Sequence, residues 1–405
     1  MSTTRPPVPV DDALEAMPRM LDVDAMAPVL ERSLGGGRSI DSVAIRYVRY
    51  KQGRSLLVRY EVLVDGADHG VVALADAGGK LAEQAGEPAN LELAAKAADR
   101  TPARAPLAYE DDPGILVQWP PMDLALPTMA ERPDRLRQIL EDAGVRTRVQ
   151  GERPQLVHFK PSSRAVLRYG DHFVKIYADD KSYEGAVAGM LAANALPMRS
   201  ARCEAAIPEL RLTAQSLVAG APPPGPVEAA PAAGAFLAML HGSENDTVVA
   251  TPAARRLRAA ASSARLLAAI EPRLAPRLEL LLRSLEESMP DEPLVLSHGD
   301  FFVRQMLELG GDYGVIDFDA CCRAPAALDI ATYISSLVRG VDDLPAGMAA
   351  LEVLCEAYGR QPAGVPWFLT TVLLRRALIP FRVFSEDWPD EIEARVRCAE
   401  AALTV

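Results

Sequence analysis

The fold is indicated most strongly by the segment Leu294-Val-Leu-Ser-His-Gly-Asp-Phe-Phe-Val-Arg-Gln-Met-Leu-Glu-Leu309, which is followed by Gly314-Val-Ile-Asp-Phe-Asp319. An apolar strand delivers a His-Gly-Asp tripeptide onto a loop, and a second apolar strand leaves it. A glycine-rich turn then returns the chain beside the same loop. The pattern therefore predicts that the carboxylates of Asp300 and Asp317 converge from adjacent loops, with the amide of Gln305 nearby.

Converging carboxylates and an amide are the groups that phosphoryl transfer requires. One carboxylate orients the attacking hydroxyl and accepts its proton, and the other oxygen ligands hold a divalent cation against the phosphate oxygens. His-Gly-Asp alone is a weak signal, because any turn can carry it. The same tripeptide with Gln305 five residues after Asp300 and Ile-Asp-Phe-Asp closely downstream is a strong one.

These motifs resemble the aminoglycoside phosphotransferase and choline-kinase-like family of small-molecule kinases, in which a His-Gly-Asp-x₄-Asn loop precedes an Ile-Asp-Phe/Trp element. The resemblance implies that Asp300 is the catalytic base, Asp317 the main Mg²⁺ ligand and Gln305 the second ligand. Gln305 stands where the family has Asn, and its stem is one methylene longer. This departure bears on metal geometry and turnover, and it leaves the reaction class unchanged.

Three further residues support the loop under the same resemblance. His298 is interpreted as a loop brace rather than a proton carrier. Asp319 either approaches the metal or caps the following turn, and the cap is the favoured interpretation. Asp329 matches the family's aspartate that opens a helix and steadies the catalytic loop, which is compatible with a plain N-cap role.

The upstream segment supplies residues that suit a triphosphate. Lys175 alternates with apolar neighbours on a predicted strand, and Glu184 follows in the first turns of a predicted helix. In the kinase fold such a Lys–Glu pair grips the α- and β-phosphates. The turn at Lys160 stands where the family has its phosphate-covering hairpin, and the backbone N–H groups of Ser162 and Ser163 suit a small anion nest. The implied cofactors are Mg²⁺ and ATP, with GTP as the alternative.

Two segments share one hairpin design, Val48–Tyr60 and Val157–Tyr169. Each has a strand, a lysine followed by a tight polar turn, and a return strand ending in Arg-Tyr. Lys51 aligns with Lys160 at an offset of 160 − 51 = 109 residues. We interpret the pair as an internal repeat. Two unrelated hairpins with similar turn chemistry are the alternative.

The order of these patterns predicts an α+β, bilobal protein-kinase-like fold preceded by an accessory N-terminal β-rich domain. The expected units are residues 1–145, an accessory domain and possible degenerate copy of the next unit, residues 146–219, the small β-rich lobe, and residues 220–405, a helical lobe. No Asp-bearing loop accompanies the first copy, so its Lys51 and Arg54 are interpreted as part of a scaffold or lid.

Composition excludes several classes of protein. The formal net charge of −12 disfavours a nucleic-acid-binding surface. The N-terminus lacks a signal pattern and no run approaches 18 apolar residues, which predicts a cytoplasmic protein without a membrane partner. The odd number of cysteines without Cys-x-x-Cys spacing indicates reduced thiols rather than disulfides or zinc ligands: Cys203, Cys321, Cys322, Cys355 and Cys398.

The leading interpretation is a kinase that phosphorylates a hydroxyl of a sugar, aminosugar, aminoglycoside or similar small molecule. The N-terminal extension also resembles maltokinase-type and glucosamine-kinase-type enzymes, which gives sugars a modest preference. A nucleotide-binding pseudokinase or regulatory protein is the alternative, suggested by Gln305 and the duplicated hairpin. A protein kinase is disfavoured because the short spacing from Asp317 to Asp329 leaves no room for an activation loop. Acceptor identity and oligomeric state are not encoded in any short motif.

Overall fold

The chain begins with two short helices, α1 (Met17–Met20) and α2 (Val23–Glu31). The two helices are separate because Asp22 adopts an extended backbone and caps α2 by accepting N–H groups of its first turn. The computed structural model describes residues 6–35, 37–148 and 151–404.

A five-stranded antiparallel sheet follows, with the spatial order β1-β2-β3-β5-β4. Two helices connect its third and fourth strands, and a helix leads out of it. The elements are β1 (Ile40–Lys51), β2 (Ser55–Val64), β3 (Ala67–Asp76), α3 (Lys80–Gly86), α4 (Pro88–Ala97), β4 (Leu107–Glu110), β5 (Ile115–Gln118) and α5 (Pro133–Asp142).

A second five-stranded antiparallel sheet has the order β6-β7-β8-β11-β10. Its elements, with a short strand that pairs elsewhere, are β6 (Gln155–Lys160), β7 (Arg164–Tyr169), β8 (His172–Tyr177), α6 (Asp180–Asn194), β9 (Arg199–Ser200), β10 (Cys203–Ile207) and β11 (Leu212–Ser216). Counted from its own first strand, each sheet has the order 1-2-3-5-4. This shared topology favours the predicted internal repeat.

The remaining chain is mainly helical, and four short strands carry the His-Gly-Asp loop and its surroundings. The elements are α7 (Ala230–His241), α8 (Ala253–Ile270), α9 (Ala275–Glu287), β12 (Leu294–Ser297), β13 (Met306–Leu309), β14 (Asp312–Val315), β15 (Cys322–Pro325), α10 (Ala327–Ile334), α11 (Leu344–Tyr358), α12 (Val365–Arg376), α13 (Ile379–Val383) and α14 (Trp388–Ala402). The predicted α+β architecture is confirmed. α8 and α9 are separate helices because Pro272 interrupts the helical stretch between them.

The first sheet packs directly on the last helices of the chain. Buried apolar side chains from residue 14 to residue 402 form one continuous core. At its edge the rings of Tyr50 on β1 and Phe381 on α13 lie 6.3 Å apart, and the indole of Trp388 donates to the carbonyl of Pro7 at 3.1 Å. The N-terminal part is therefore integral to the molecule rather than a loosely tethered appendage.

Two further features of the structure concern the cysteines and the length of the helices. All of the cysteines are free thiols; four are buried and Cys203 is half-buried. Among the described residues, no helix is both long enough and apolar enough to cross a bilayer.

Candidate active site

The His-Gly-Asp tripeptide forms the loop after β12, which pairs with β15. Gly299 has φ +81°, and a Cβ at this position would collide with the carbonyl oxygen of Ala320. The loop therefore needs glycine here, both for the left-handed backbone and for the close approach of the segment that follows Asp317. These two constraints fix where the Asp300 side chain begins.

Asp329 fixes the backbone of the His-Gly-Asp loop through hydrogen bonds. Its fully buried carboxylate accepts the N–H of His298 at 2.7 Å and the N–H of Gly299 at 2.8 Å, and it lies 3.2 Å from Nε2 of His241. Burial alone would raise the pKa of Asp329, but the hydrogen bond and charge of His241 lower it below its ordinary value. His298 in turn places its Nε2 3.0 Å from the carbonyl of Ile316, so it ties the loop to the strand before Asp317.

Asp317 follows β14 in a left-handed backbone conformation with φ +68°. Aspartate is one of the few residues that tolerate this region, and such strain is common where a side chain must be aimed at a functional site. Its Oδ1 lies 2.7 Å from Nζ of Lys175 and 3.4 Å from the guanidinium of Arg164. Burial raises the pKa of Asp317, but these two cations outweigh it and hold the pKa far below its ordinary value. The carboxylate is therefore ionised at neutral pH.

Lys175 lies at the centre of the charged cluster. It is only 4% exposed on β8, and its ammonium also lies 2.6 Å from Asp319. Asp319 additionally accepts from Arg164 and, at 3.1 Å, from the hydroxyl of Tyr177. Burial and the charge of Asp319 raise the pKa of Tyr177 well above its ordinary value, so the hydroxyl keeps its proton and donates. Asp319 thus lies in the cluster, and the favoured turn-cap interpretation does not describe it.

Arg164 and Tyr177 were not among the predicted site residues. The register explains their place: Arg164 is paired with Tyr177 across β7 and β8, and Lys175 lies two residues away on the same face. Once Lys175 is chosen, the hairpin register would have identified both neighbours.

Glu184 is not the partner of Lys175. It lies on the exposed side of α6, whose inward face presents Tyr183 and Ala186, and in the described part of the chain no ion pair joins it to the lysine. The reason is the packing of α6, where Gly189 lies so close to Phe318 that a Cβ would collide with its carbonyl oxygen. The acidic partners of Lys175 come from the helical lobe instead, Asp317 and Asp319.

In the turn of the β6–β7 hairpin, the backbone N–H groups of Ser162 and Ser163 both donate hydrogen bonds within the protein. The N–H of Ser162, which has φ +48°, donates to the buried carboxylate of Asp123 at 2.8 Å. The N–H of Ser163 donates to the carbonyl of Lys160 at 3.1 Å. Both donors of the predicted phosphate nest are therefore occupied inside the protein, and the first acceptor comes from the segment after β5.

Gln305 also serves the backbone rather than the cleft. Its Oε1 accepts the N–H of Phe302 at 2.5 Å, and its side chain is 3% exposed. The amide oxygen predicted as the second metal ligand thus closes the turn before β13. The longer stem of glutamine, compared with asparagine, is what reaches that N–H.

Asp300, Asp317 and Asp319 meet at one cleft between the second sheet and the helical lobe. The carboxylate of Asp300 is 36% exposed, and its Oδ1 lies 3.5 Å from the guanidinium of Arg375. The cleft has a volume of about 250 Å³ and is lined by Lys160, Ser163, Arg164, Tyr177, Ser182, Asp300, Asp317, Asp319 and Ala320. Carboxylates face cations across it, which is the environment that an anionic ligand with a divalent cation requires.

The comparisons with known proteins agree with this geometry. A sequence profile of the phosphotransferase enzyme family matches residues 162–368, more than half of the chain, and the match includes Lys175, Asp300 and Asp317. No curated protein matches the chain in sequence.

Solved structures show the same fold at low identity. An aminoglycoside phosphotransferase with bound GDP and kanamycin is 13% identical, covers 67% of this chain and 99% of its own, and has a TM-score of 0.50. The GDP complex of wild-type aminoglycoside 2′-phosphotransferase-IIIa is 12% identical with the same coverage and TM-score. A choline/ethanolamine kinase family protein from Mesorhizobium loti is 16% identical, covers 67% of this chain and 95% of its own, and has a TM-score of 0.46.

The family profile spans the hairpin turn, the buried lysine and both aspartate loops in their chain order. This match favours the enzyme over the nucleotide-binding pseudokinase that the sequence left open. The chain belongs to the phosphotransferase enzyme family and is a small-molecule kinase with a protein-kinase-like fold.

Proposed function

We propose that the protein transfers the γ-phosphoryl group of a nucleoside triphosphate to a hydroxyl of a sugar, aminosugar, aminoglycoside or similar small molecule. The observation that carries the proposal is the meeting of Asp300 and Asp317 at one cleft, with the ammonium of buried Lys175 2.7 Å from Asp317. In phosphoryl transfer the protein acts mainly by positioning and by stabilising charge. The cleft offers a carboxylate base, and a buried cation lies beside it.

Asp300 is the proposed catalytic base. Its exposed carboxylate accepts a hydrogen bond from the acceptor hydroxyl and takes the proton as the hydroxyl oxygen bonds to the γ-phosphorus. The bond from that phosphorus to the β–γ bridging oxygen breaks, and the nucleoside diphosphate leaves with the electron pair. Asp329 keeps Asp300 in place through the N–H groups of the preceding two residues.

Lys175 and Arg164 are the proposed phosphate ligands. Both lie on the second sheet and pair with Asp317 and Asp319, and Arg164 also lines the cleft. Phosphate oxygens are hydrogen-bond acceptors of the same kind as these carboxylates, so a triphosphate competes for the same cations.

Asp317 and Asp319 are the residues that would hold a Mg²⁺ ion. Carboxylate oxygens suit it, and Mg²⁺ commonly binds through one or two carboxylates together with substrate phosphates. Among the described residues no group of three or more His, Cys, Asp or Glu side chains forms a metal site, which fits a cation shared with the nucleotide. A bound Mg²⁺ supplies charge neutralisation of the phosphate oxygens. Asp319 takes the role that the sequence assigned to Gln305.

ATP is the proposed donor, with GTP as the alternative. A structural neighbour was solved with GDP and kanamycin, and that neighbour motivates the inclusion of GTP and aminoglycosides in any test. We also propose a cytoplasmic location, in keeping with the free thiols.

The function is tested by incubating the purified full chain with Mg²⁺, labelled ATP or GTP and a panel of hydroxyl acceptors. We expect label transfer to at least one acceptor. Replacing Asp300 with Ala should lower kcat about 100- to 10,000-fold, because general base catalysis is lost while the nucleotide still binds. The absence of both transfer and nucleotide binding in the wild-type protein would contradict the proposal.

Asp312→Ala is the matched control. Asp312 is an exposed aspartate at the start of β14, between the two functional loops in sequence. Its replacement should leave kcat and melting temperature unchanged. Equal losses in the Asp300 and Asp312 variants would point to a folding defect rather than to catalysis.

A further inference from the structure

Several basic side chains lie near Asp300. We call Lys160, Arg304, Arg375, Arg376 and Arg382 the basic patch. They come from three separate parts of the chain: the β6–β7 turn, the loop after Asp300, and α12 with α13.

Contacts place the basic patch next to the reacting carboxylate. Arg375 lies 3.5 Å from Oδ1 of Asp300. Two residues further along the same loop, the ring of Phe302 has the guanidinium carbon of Arg304 4.3 Å from its centroid and that of Arg376 5.3 Å from it. The loop that carries the base is thus flanked by three arginines.

Lys160 and Arg382 are the other two members of the basic patch, and their charges act on one another. Burial lowers the pKa of Lys160, and the nearby charges of Arg382, Arg164 and Arg49 lower it further, while Asp300 opposes them. Lys160 also lines the cleft together with Asp300. Lys160 is therefore the member of the patch that shares the cleft with the base.

Among the described residues, the basic patch has few acidic side chains as partners. Within residues 6–35, 37–148 and 151–404, only Arg375 of this patch has a carboxylate within 4.0 Å, and that carboxylate is Asp300 itself. The Nε of Arg376 is buried without a hydrogen-bond partner in the same described residues. By contrast, Arg277 on α9 is paired with both Glu393 and Glu400.

Unpaired, partly buried guanidinium groups are costly unless an anion meets them. The concentration of positive charge also runs against the formal net charge of −12 for the whole chain. A cationic acceptor such as an aminoglycoside would be repelled at this place, whereas phosphate and carboxylate groups match the arginine fork.

Resting on the phosphoryl transfer proposed above, we propose that the acceptor is a hydroxyl compound with a phosphate or carboxylate group, which the basic patch binds beside Asp300. Arg376 and Arg382 act as its anion ligands, while Arg375 positions the base. The anion would fix which hydroxyl of the acceptor reaches Asp300.

The test compares glucose, glucosamine, glucose 6-phosphate and glucuronate, first by calorimetric binding to the full chain without nucleotide and then by phosphoryl transfer from Mg²⁺-ATP. We expect at least one of the two anionic probes to bind and to react with a kcat/KM at least about tenfold above that of glucose. Preference for glucose 6-phosphate identifies a phosphate site, and preference for glucuronate a carboxylate site. Binding of neither anion, or equal or better use of glucose or glucosamine, overturns the inference.

Arg376→Gln and Arg382→Gln identify the ligands. Each should raise the KM or Kd for the anionic probe about tenfold or more and change the nucleotide KM less than about twofold, because a charged hydrogen bond to the acceptor alone is lost. Arg376→Lys and Arg382→Lys should recover part of the affinity, and this recovery separates charge from folding. Arg258→Gln, an exposed arginine on α8, is the matched control and should change neither constant. An effect on the nucleotide KM alone would assign the patch to the triphosphate and overturn the inference.

The two proposals fail separately. If the anions bind through Arg376 and Arg382 but no probe is phosphorylated, phosphoryl transfer to these acceptors fails while the anion site stands. If neutral acceptors are phosphorylated preferentially and the arginine variants behave like the wild type, the kinase stands and the anion site fails.

Discussion

The two sheets of this protein are built alike and do different work. Their opening hairpins match in detail: Gly53 and Ser162 stand at the same position of the two turns, with φ +62° and +48°. Each donates its N–H to an aspartate that precedes its sheet, Asp11 at 2.7 Å and Asp123 at 2.8 Å. The shared strand order extends this likeness to the whole sheet.

The difference lies on one face of the second and third strands. The second sheet has Arg164 paired with Tyr177 and carries Lys175 on the same face. In the first sheet the corresponding pairs are Ser55 with Asp76 and Leu57 with Leu74, so Leu74 stands where the second sheet has Lys175. The two sheets therefore share a backbone plan. Only the second carries Arg164, Lys175 and Tyr177, whose side chains contact the aspartates of the candidate active site.

Contacts between the hairpins give the first sheet a function of its own. Arg59 donates to the carbonyl of Phe159 at 2.9 Å, and Arg49 lies 3.3 Å from the carbonyl of Pro161. With Asp123 on Ser162, these contacts brace the β6–β7 turn from the first copy. This supports the predicted scaffold role over a mobile lid.

Replacing Lys175 with Met, and Leu74 with Met in a separate variant, should give the largest difference in effect between the two sheets. Lys175→Met removes the buried cation of the cleft and should lower kcat about 100- to 1,000-fold. Leu74→Met is nearly volume-conserving at the matched position and should cost less than about 1.5 kcal/mol of stability with no loss of kcat. Steady-state kinetics and denaturant unfolding measure both. Similar kinetic losses in the two variants would contradict the division of roles.

Asp123→Ala tests whether the first copy supports the second. It leaves the N–H of Ser162 without an acceptor in a buried place, which should cost about 1–3 kcal/mol of unfolding free energy. We also expect a raised KM for the nucleotide, because the turn lies at the cleft. Asp11→Ala is the matched variant: it should affect stability in the same direction and leave the nucleotide KM unchanged. A nucleotide KM that is unaltered in Asp123→Ala would mean that the turn holds itself.

Exchanging the turn residues should have a smaller effect. Gly53→Ser forces a serine into the left-handed region and should destabilise the protein by about 1 kcal/mol. Ser162→Gly relieves that strain but increases the entropy of the unfolded chain, so its change in unfolding free energy should be smaller. Urea unfolding of both variants decides this. A cost for Ser162→Gly equal to that of Gly53→Ser would show that the two turns are not equivalent.

The two turn aspartates should also respond oppositely to pH. Burial raises the pKa of Asp11, but Gly53 and Tyr50 outweigh it and lower the pKa, so the contribution of Asp11 to stability is present above about pH 4 and lost as the pH falls. Burial dominates at Asp123 and raises its pKa, so its contribution is present below about pH 4 and lost as the pH rises.

Unfolding free energies of Asp11→Asn and Asp123→Asn relative to the wild type, measured from about pH 3.5 to 7, should therefore diverge. The advantage of the wild type over Asp11→Asn should grow with pH, and its advantage over Asp123→Asn should shrink. Parallel curves would contradict the assigned difference in burial.

The sequence predicted the parts of the fold and site that are local. The two hairpins follow from alternating strands around short turns, and the convergence of Asp300 with Asp317 follows from one loop and one hairpin of known length. The partner of Lys175 could not be read in this way. It depends on how α6 packs against the helical lobe, where Gly189 allows a contact that turns Glu184 outwards.

The local sequence pattern also could not predict where the ends of long side chains lie. Whether Gln305 reaches the cleft or its own turn differs by one methylene and a rotation. The basic patch joins residues more than 200 positions apart, from Lys160 to Arg382, so only the packed chain reveals it.

A crystal structure of the full chain with Mg²⁺ and a non-hydrolysable ATP analogue would show directly where the nucleotide binds. We expect the triphosphate to lie in the cleft, with Lys175 and Arg164 on its oxygens, the cation on Asp317, and Asp300 facing the terminal phosphate. A nucleotide bound away from these residues, or a triphosphate in the cleft with Lys175 still paired only to Asp317 and Asp319, would contradict it.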